Sequence, residues 1–329
     1  MYYFCTYFDH RYLPRGLALY WSLKYHCPSF RLWVLCMDRA CYDILSQLGL
    51  SDIHLIALED FERGDEKLLK AKQNRTPIEY YFTCTPSLLL FILNNYSEVD
   101  LITYLDADLF FFADPAPIYD EIANHSIAII EHRFPPNLRD LEKYGIYNVG
   151  WLSFRRDEQA FACLNWWRER CIEWCYDRCE DGRFADQKYL DNWPNLFQCV
   201  VVLRHKGANL APWNLANYTI YADGNRVWVD EQPLIFFHFR GFKQITDWLY
   251  NANSWDCKVR LSRVVRRGIY TPYIQTLLDV APKGSLQSSI KGQMIRSRLP
   301  RPIRRLLHVC RGILARDYIL FVNGRVILY

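Results

Sequence analysis

The sequence has no uninterrupted apolar stretch of the ~18 residues that a membrane span requires; a run such as Ser87-Leu88-Leu89-Leu90-Phe91-Ile92-Leu93 is the size of a core element. The opening Met1-Tyr2-Tyr3-Phe4-Cys5-Thr6-Tyr7 carries no basic region or small-residue cleavage site, so a cytosolic protein is expected. Internal repeats and low-complexity tracts are absent, and Thr6 to Gly16 holds a single glycine, which argues against a Gly-rich phosphate loop. Net charge is also scarce, at +4 over 329 residues. What is present, 51% hydrophobic and 16% aromatic residues, excludes disorder as the dominant state and is enough for one sizeable core with an appendage. Twelve cysteines in a chain of this length without an export signal read as reduced thiols.

The charge is segregated. From Lys258 onward there are fifteen lysines and arginines against two acids, Asp279 and Asp317, a net of +13; the preceding residues hold 25 bases against 34 acids, a net of −9. The division suggests an acidic body over 1–256 and a basic C-terminal segment over 257–329.

Along the body, apolar strand-like segments alternate with helical ones. Tyr2 to Tyr7, Arg31 to Met37 and Ile53 to Leu58 read as strands, separated by helices over Arg15 to His26 and Ala40 to Leu48. Ser87 to Asn95 is expected as a buried helix, and Leu101 to Leu105 as a central strand running on through Asp106 to Phe112. Ser126 to Ile130, Tyr147 to Phe154, Val200 to Leu203 and Leu234 to Phe239 complete the expected strands. A long helix is predicted over Asp157 to Cys179, and a short one over Asp186 to Trp193, closed by Pro194. The fold class is therefore α/β, a mostly parallel sheet with helices on both faces.

The strongest local signal is Asp106-Ala107-Asp108 at the end of an apolar strand. Residues i and i+2 of an extended chain point the same way, so both carboxylates could face one hard divalent cation. Taken alone, the triplet reads more readily as a strand-end turn of solvated acids.

Its context resembles glycosyltransferase family eight, the retaining GT-A enzymes, over residues 1 to about 250. Asp9-His10-Arg11-Tyr12 is similar to the family's nucleotide loop, and Tyr104-Leu105-Asp106-Ala107-Asp108 to its metal motif. Tyr147-Asn148-Val149-Gly150, Asp186-Gln187 and His238-Phe239-Arg240-Gly241-Phe242-Lys243 follow in the family's order. The resemblance implies that Asp106, Asp108 and His238 hold Mn²⁺ or Mg²⁺, with an imidazole beside two carboxylates favouring Mn²⁺. It implies that Asp9 meets a uracil edge and Tyr12 stacks on its face, that Asn148 and Asp186 bind donor-sugar hydroxyls, and that Gln187 lies by the sugar's β face. Gly241 and Lys243 would meet the diphosphate. The implied reaction is hexose transfer from a UDP-sugar to a saccharide or lipid-linked acceptor in bacterial surface-polysaccharide synthesis. A catalytically degenerate nucleotide-sugar-binding or assembly subunit is the rival; a sugar-nucleotide pyrophosphorylase is disfavoured by the glycine-poor N-terminal loop.

The chain departs from the family pattern in places. Thr83-Cys84-Thr85-Pro86-Ser87-Leu88 stands where members carry a basic residue, Gly145 where several carry an aspartate, and the late motif is one residue short after its glycine. Tyr80 to Pro86 and Asn209 to Leu215 resemble features of an uncharacterised bacterial subgroup. Cys163, Cys171, Cys175 and Cys179 fall at multiples of four on the expected long helix, where core thiols are the plainer reading than a metal. Trp166, Trp167 and Trp174 on the same helix read as a buried aromatic face more readily than as a sugar platform, and His205-Lys206-Gly207 as loop or phosphate contact.

In the basic segment, Pro282 to Pro302 reads as a linker. Ile303, Leu306, Leu307, Cys310 and Leu314 share one helical face, with Arg304, Arg305 and Arg311 opposite. Such a helix suits either an anionic membrane surface or docking on the core. No nucleic-acid-binding motif accompanies it. Tyr318 to Val322 and Arg325 to Tyr329 read as strands joined by a type I′ turn at Asn323-Gly324, an apolar hairpin that needs a cover.

Overall fold

A computed structural model describes residues 1–280, 318–322 and 324–327. A seven-stranded sheet organises the molecule. Its members are β1 (Tyr2–Phe8), β2 (Phe30–Cys36), β3 (Ile53–Ala57), β4 (Leu101–Leu105), β6 (Ile127–Glu131), β7 (Tyr147–Arg155) and β8 (Val200–Leu203). The spatial order is β3-β2-β1-β4-β7-β6-β8, and all are parallel except β7, which runs against both neighbours. The short β5 (Leu109–Phe111) lies outside this sheet.

Both faces of the sheet are covered, as its near-continuous apolar strands require. On one side, helices Pro77–Asn95 and Glu158–Glu173 pack with Leu88, Leu89, Ile92, Leu164 and Trp167 against Ile102, Leu152 and Phe154. On the other, helices Leu13–His26 and Arg39–Leu48 bury Leu17, Leu23, Cys41 and Leu45 against Phe4, Leu32 and Val34.

Three helices differ from the sequence expectation. The helix expected at Ser87 begins at Pro77 and carries Pro86 in its interior. Thr76 and Glu79 form a reciprocal capping box at its start, and unbroken burial from Thr83 to Leu90 outweighs the lost proline hydrogen bond. The helix expected to reach Cys179 ends at Glu173, where the Tyr189 hydroxyl donates to the carbonyls of Arg170 and Trp174 and Trp174 turns extended. Cys163 and Cys171 are consequently buried on the helix and Cys175 beyond its end, while Cys179 is exposed, so the four thiols do not share one helical face. Pro194 does not close a helix. A 3₁₀ turn, Lys188–Asn192, is followed by Trp193–Leu196, in whose first turn Pro194 sits.

A third core joins the late strands: β9 (Ile220–Asp223), β10 (Arg226–Val229), β11 (Gln232–Pro233), β12 (Phe236–His238), β13 (Lys243–Gln244), β14 (Leu249–Asn251), β15 (Tyr318–Val322) and β16 (Arg325–Ile327). The C-terminal hairpin is covered by the protein itself. β15 pairs antiparallel with β14, and Ile319 and Phe321 pack into the cluster that holds Phe239, Phe242, Tyr250, Tyr270 and Tyr273. The linker and basic amphipathic helix expected between Pro282 and Leu314, with its membrane role, and the residue Asn323 of the turn lie outside the described residues. No helix among the described residues is long and apolar enough to cross a membrane.

Candidate active site

Asp106 and Asp108 do not lie on one continuous strand. β4 ends at Leu105, and the Leu109 N–H donates to the Asp106 carbonyl at 3.1 Å, so Asp106 to Leu109 forms a tight turn before β5. The turn brings the two carboxylates together by folding the chain, where the sequence pattern had invoked the alternation of a strand.

β12 delivers the third residue. It pairs antiparallel with β5, setting His238 opposite Leu109, and its His238 Nε2 stands 3.2 Å from Asp108 Oδ1 and 3.6 Å from Asp106 Oδ2. Potential ligand atoms of Asp106, Asp108 and His238 lie within 4.8 Å of one another. Two hard carboxylates and one imidazole, all aimed at the same space, form a donor set compatible with a divalent metal.

The surroundings hold these groups in place. The Tyr104 hydroxyl donates to Asp106 Oδ1 at 2.9 Å, and the Tyr12 hydroxyl to Asp108 Oδ2 at 3.3 Å. Burial pushes the Asp106 carboxyl up, helped by the charge of Asp108 and opposed by His238. Burial would raise Asp108 too, but His238, Arg15 and the Tyr12 hydroxyl outweigh it and hold that carboxyl below its ordinary value.

A relay of side chains fixes the His238 ring. Its Nδ1–H donates to Asn148 Oδ1 at 3.2 Å, and the Gly150 N–H donates to the same oxygen. The Asn148 amide nitrogen then donates to His132 Nε2 at 3.2 Å, and His132 Nδ1–H to the Ile146 carbonyl at 3.1 Å. Each donor meets an acceptor only with His238 protonated on Nδ1, which leaves Nε2 facing the two carboxylates. Burial drives the His132 imidazole down to about 3, consistent with a neutral acceptor.

The segment Asn209 to Leu215 supports the relay from below. Trp213 donates to the His132 carbonyl at 2.8 Å and sets its ring edge-on to His238, while Asn214 donates to the carbonyls of His132 and Asn209.

These groups form the floor of a cavity of about 640 Å³ that Asp9, Tyr12, Asp106, Asp108, Asn148, Asp186, Gln187 and His238 all line. Asp9 accepts backbone N–H bonds from Arg11 and Tyr12, shaping the loop after β1. The Tyr12 ring is 37% exposed, under the Arg15 guanidinium at 4.3 Å. Asp186 follows Ala185, whose φ of +46° is costly for a residue with a side chain; Trp167 anchors the turn by donating to the Asp186 carbonyl. Burial pushes the Asp186 carboxyl up to about 7 against a hydrogen bond from Thr85 Oγ1 at 2.8 Å, with Asp106 adding to the rise. Gln187 donates to the Tyr144 carbonyl and receives the Asn148 amide at 3.3 Å.

Gly241 and Lys243 stand apart from this set. Gly241 adopts φ +74°, its α-carbon against the Asn253 side chain, and Lys243 is exposed on β13; neither lines the cavity. The basic groups that do line it are Arg11 and Arg240. The sequence signal for Arg240 was its place inside the His238–Lys243 motif. Thr85, standing where a basic residue was expected, bonds Asp186 and lies 3.2 Å from the Tyr7 hydroxyl. Tyr7, Tyr81, His132, Phe134, Tyr144, Phe184 and Trp213 also line the cavity; Tyr81 and Trp213 fall in the segments Tyr80 to Pro86 and Asn209 to Leu215 singled out in the sequence, and no sequence signal marks the others as site residues. Of the alternative sites, Trp167 is buried in the core, stacked with Phe154 and edge-on to Trp193, and Lys206 is paired with Asp230 and Glu231.

The sheet order, the acidic turn after β4 and the cavity above it define a GT-A, nucleotide-diphospho-sugar transferase fold. The structure of the galactosyltransferase LgtC in complex with donor and acceptor sugar analogues superimposes with a TM-score of 0.55 and 14% identity, covering 92% of this chain and 99% of that one. An LgtC active-site mutant gives 0.51 at 16% identity, over 81% and 99% of the two chains. No protein-family model matches the chain. The chain belongs to the family of two Bacillus subtilis proteins, both described as uncharacterized. It is 33% identical to YfnD over 84% of this chain and 88% of that protein, and 35% identical to YfnF over 74% and 82%.

Proposed function

We propose that the protein is a metal-dependent, retaining glycosyltransferase that moves a hexose from a UDP-sugar to a saccharide or lipid-linked acceptor, as a cytoplasmic enzyme of bacterial surface-polysaccharide synthesis. The observation that carries this reading is the convergence of Asp106, Asp108 and His238 on the floor of a cavity whose walls hold Asp9, Tyr12, Asn148, Asp186 and Gln187.

In this reading Asp106, Asp108 and His238 hold Mn²⁺, which supplies positive charge to the leaving diphosphate. Tyr12 offers an open ring face for a base, and Asp9 a carboxylate at the mouth of the same loop. Asp186 and Asn148 face the donor sugar; Asp186, partly protonated near neutrality, can donate to a hydroxyl as well as accept from one. Gln187 is too weak a nucleophile for a double displacement, so it acts as an electrostatic and steric neighbour while the acceptor attacks the same face the diphosphate leaves. With Lys243 outside the cavity, Arg11 and Arg240 are the cations we assign to the donor's phosphates.

The test is UDP release from a panel of UDP-sugars with and without Mn²⁺. Metal-dependent hydrolysis of one donor that Asp108→Ala abolishes supports the reading. Mn²⁺-dependent UDP binding with no hydrolysis or transfer on any donor would instead make the chain a nucleotide-sugar-binding subunit.

A further inference from the structure

Beside the large cavity lies a second of about 420 Å³, lined by Lys143, Tyr144, Asp177, Arg178, Cys179, Phe184 and Arg240. Tyr144, Asp177, Phe184 and Arg240 line both, so the two are adjoining compartments of one depression. Their chemistry differs sharply. The large cavity is dominated by Asp9, Asp106, Asp108 and Asp186; the smaller one presents three cations and one carboxylate.

Lys143 and Arg178 line the smaller compartment alone, while Arg240, assigned above to the donor's phosphates, borders both. Lys143 and Arg240 form no ion pair among the described residues, and the Lys143 ammonium stands 5.0 Å from the Tyr144 ring. Arg178 gives its Nε to Glu180 at 2.6 Å and stacks on Tyr176 at 4.4 Å, which holds the guanidinium in a fixed direction. Tyr144 and Phe184 meet edge to face at 4.8 Å on the boundary between the compartments, offering apolar rings to a pyranose.

We propose that the smaller cavity binds an oxyanion, phosphate or carboxylate, carried by the acceptor, so that the acceptor sugar lies over Tyr144 and Phe184 with its hydroxyl toward the large cavity. This deepens the glycosyltransferase reading and rests on it for the word acceptor; the anion site itself rests on the cations alone. Charge-assisted hydrogen bonds from lysine and arginine to such a group are stronger than neutral ones, and in a basin this open they weaken with added salt.

The full-length protein, saturated with UDP and Mn²⁺, is titrated calorimetrically with glucose 6-phosphate, glucuronate and glucose. Either anion binding about tenfold tighter than glucose, with the advantage lost in Lys143→Gln/Arg178→Gln, supports the site, and the stronger of the two names the source of the charge. Equal binding of all three, displacement of the anion by UDP, or an unchanged advantage in the double variant overturns it. Both substitutions are at exposed positions, and the melting temperature of the same samples reports folding; Lys143→Glu, which should abolish the preference, serves as a second variant. UDP and Mn²⁺ binding is measured first: its absence refutes the glycosyltransferase reading, while the anion titration, repeated without UDP, still decides the site.

Discussion

Asn148 Oδ1 lies 3.2 Å from His238 Nδ1, which makes a residue expected to face the donor sugar a positioning residue for the His238 ring as well. Replacing Asn148 with leucine removes the acceptor for His238 Nδ1–H and orphans His132 Nε2. Loss of such an outer partner costs roughly 10–100-fold in metal affinity. Calorimetric titration of Mn²⁺ into Asn148→Leu should show a drop of that order with the fold intact, and an affinity equal to wild type would contradict the relay.

Gly150 leaves room for this arrangement. A β-carbon there would stand 2.5 Å from Asn148 Oδ1 and 3.0 Å from His238 Cε1 and Nδ1. Gly150→Ala therefore has to displace the amide or the imidazole, and the same Mn²⁺ titration should show weakened binding; an affinity equal to wild type would show that the site tolerates the extra methyl group.

The acid-base behaviour of Asp186 yields a pH prediction. Its carboxyl is raised to about 7 in the folded chain from the ordinary 3.8, so between those values the native state binds more protons than the unfolded one. Stability then falls as pH rises through that window, by up to about 1.4 kcal/mol per pH unit for a single group. Without added metal, the melting temperature difference between Asp186→Asn and wild type should widen in favour of the variant from pH 5 to pH 8. A difference that stays constant across the range would refute the raised value.

The acidic and aromatic pieces of the site were legible in sequence because their spacing is local: Asp106 and Asp108 are two apart, Asp186 and Gln187 adjacent. The device that joins them was not. His238 reaches the carboxylates through the β5–β12 ladder, a pairing between distant segments that no periodicity reveals, and Asp106 turns where an apolar run suggested an unbroken strand. The expected helix starts at Ser87, whereas the observed one runs from Pro77 through Pro86, whose missing amide is outweighed by burial on both sides of it. Spacing of four likewise put Cys175 and Cys179 on a helix that Tyr189, from a later turn, terminates first.

The C-terminal hairpin supplies a final prediction. Ending the chain before Tyr318 removes β15 from its place beside β14, together with the buried side chains of Ile319 and Phe321. Each apolar side chain of that size contributes roughly 1.5–3 kcal/mol when fully buried, and Tyr250 and Phe242 would lose part of their cover. The truncated protein should melt well below the full chain or aggregate, and an unchanged melting temperature would show that the hairpin is dispensable. It follows that deleting residues 283–329 is a poor test of membrane attachment, since lost binding to anionic vesicles would mix a damaged fold with a missing basic segment. Vesicle binding by the full chain with Arg304, Arg305 and Arg311 changed to glutamine separates the two: the hairpin stays in place while three positive charges go, each worth about 1 kcal/mol near an anionic surface. Binding that falls at unchanged melting temperature assigns the attachment to the basic segment; binding that does not change removes it.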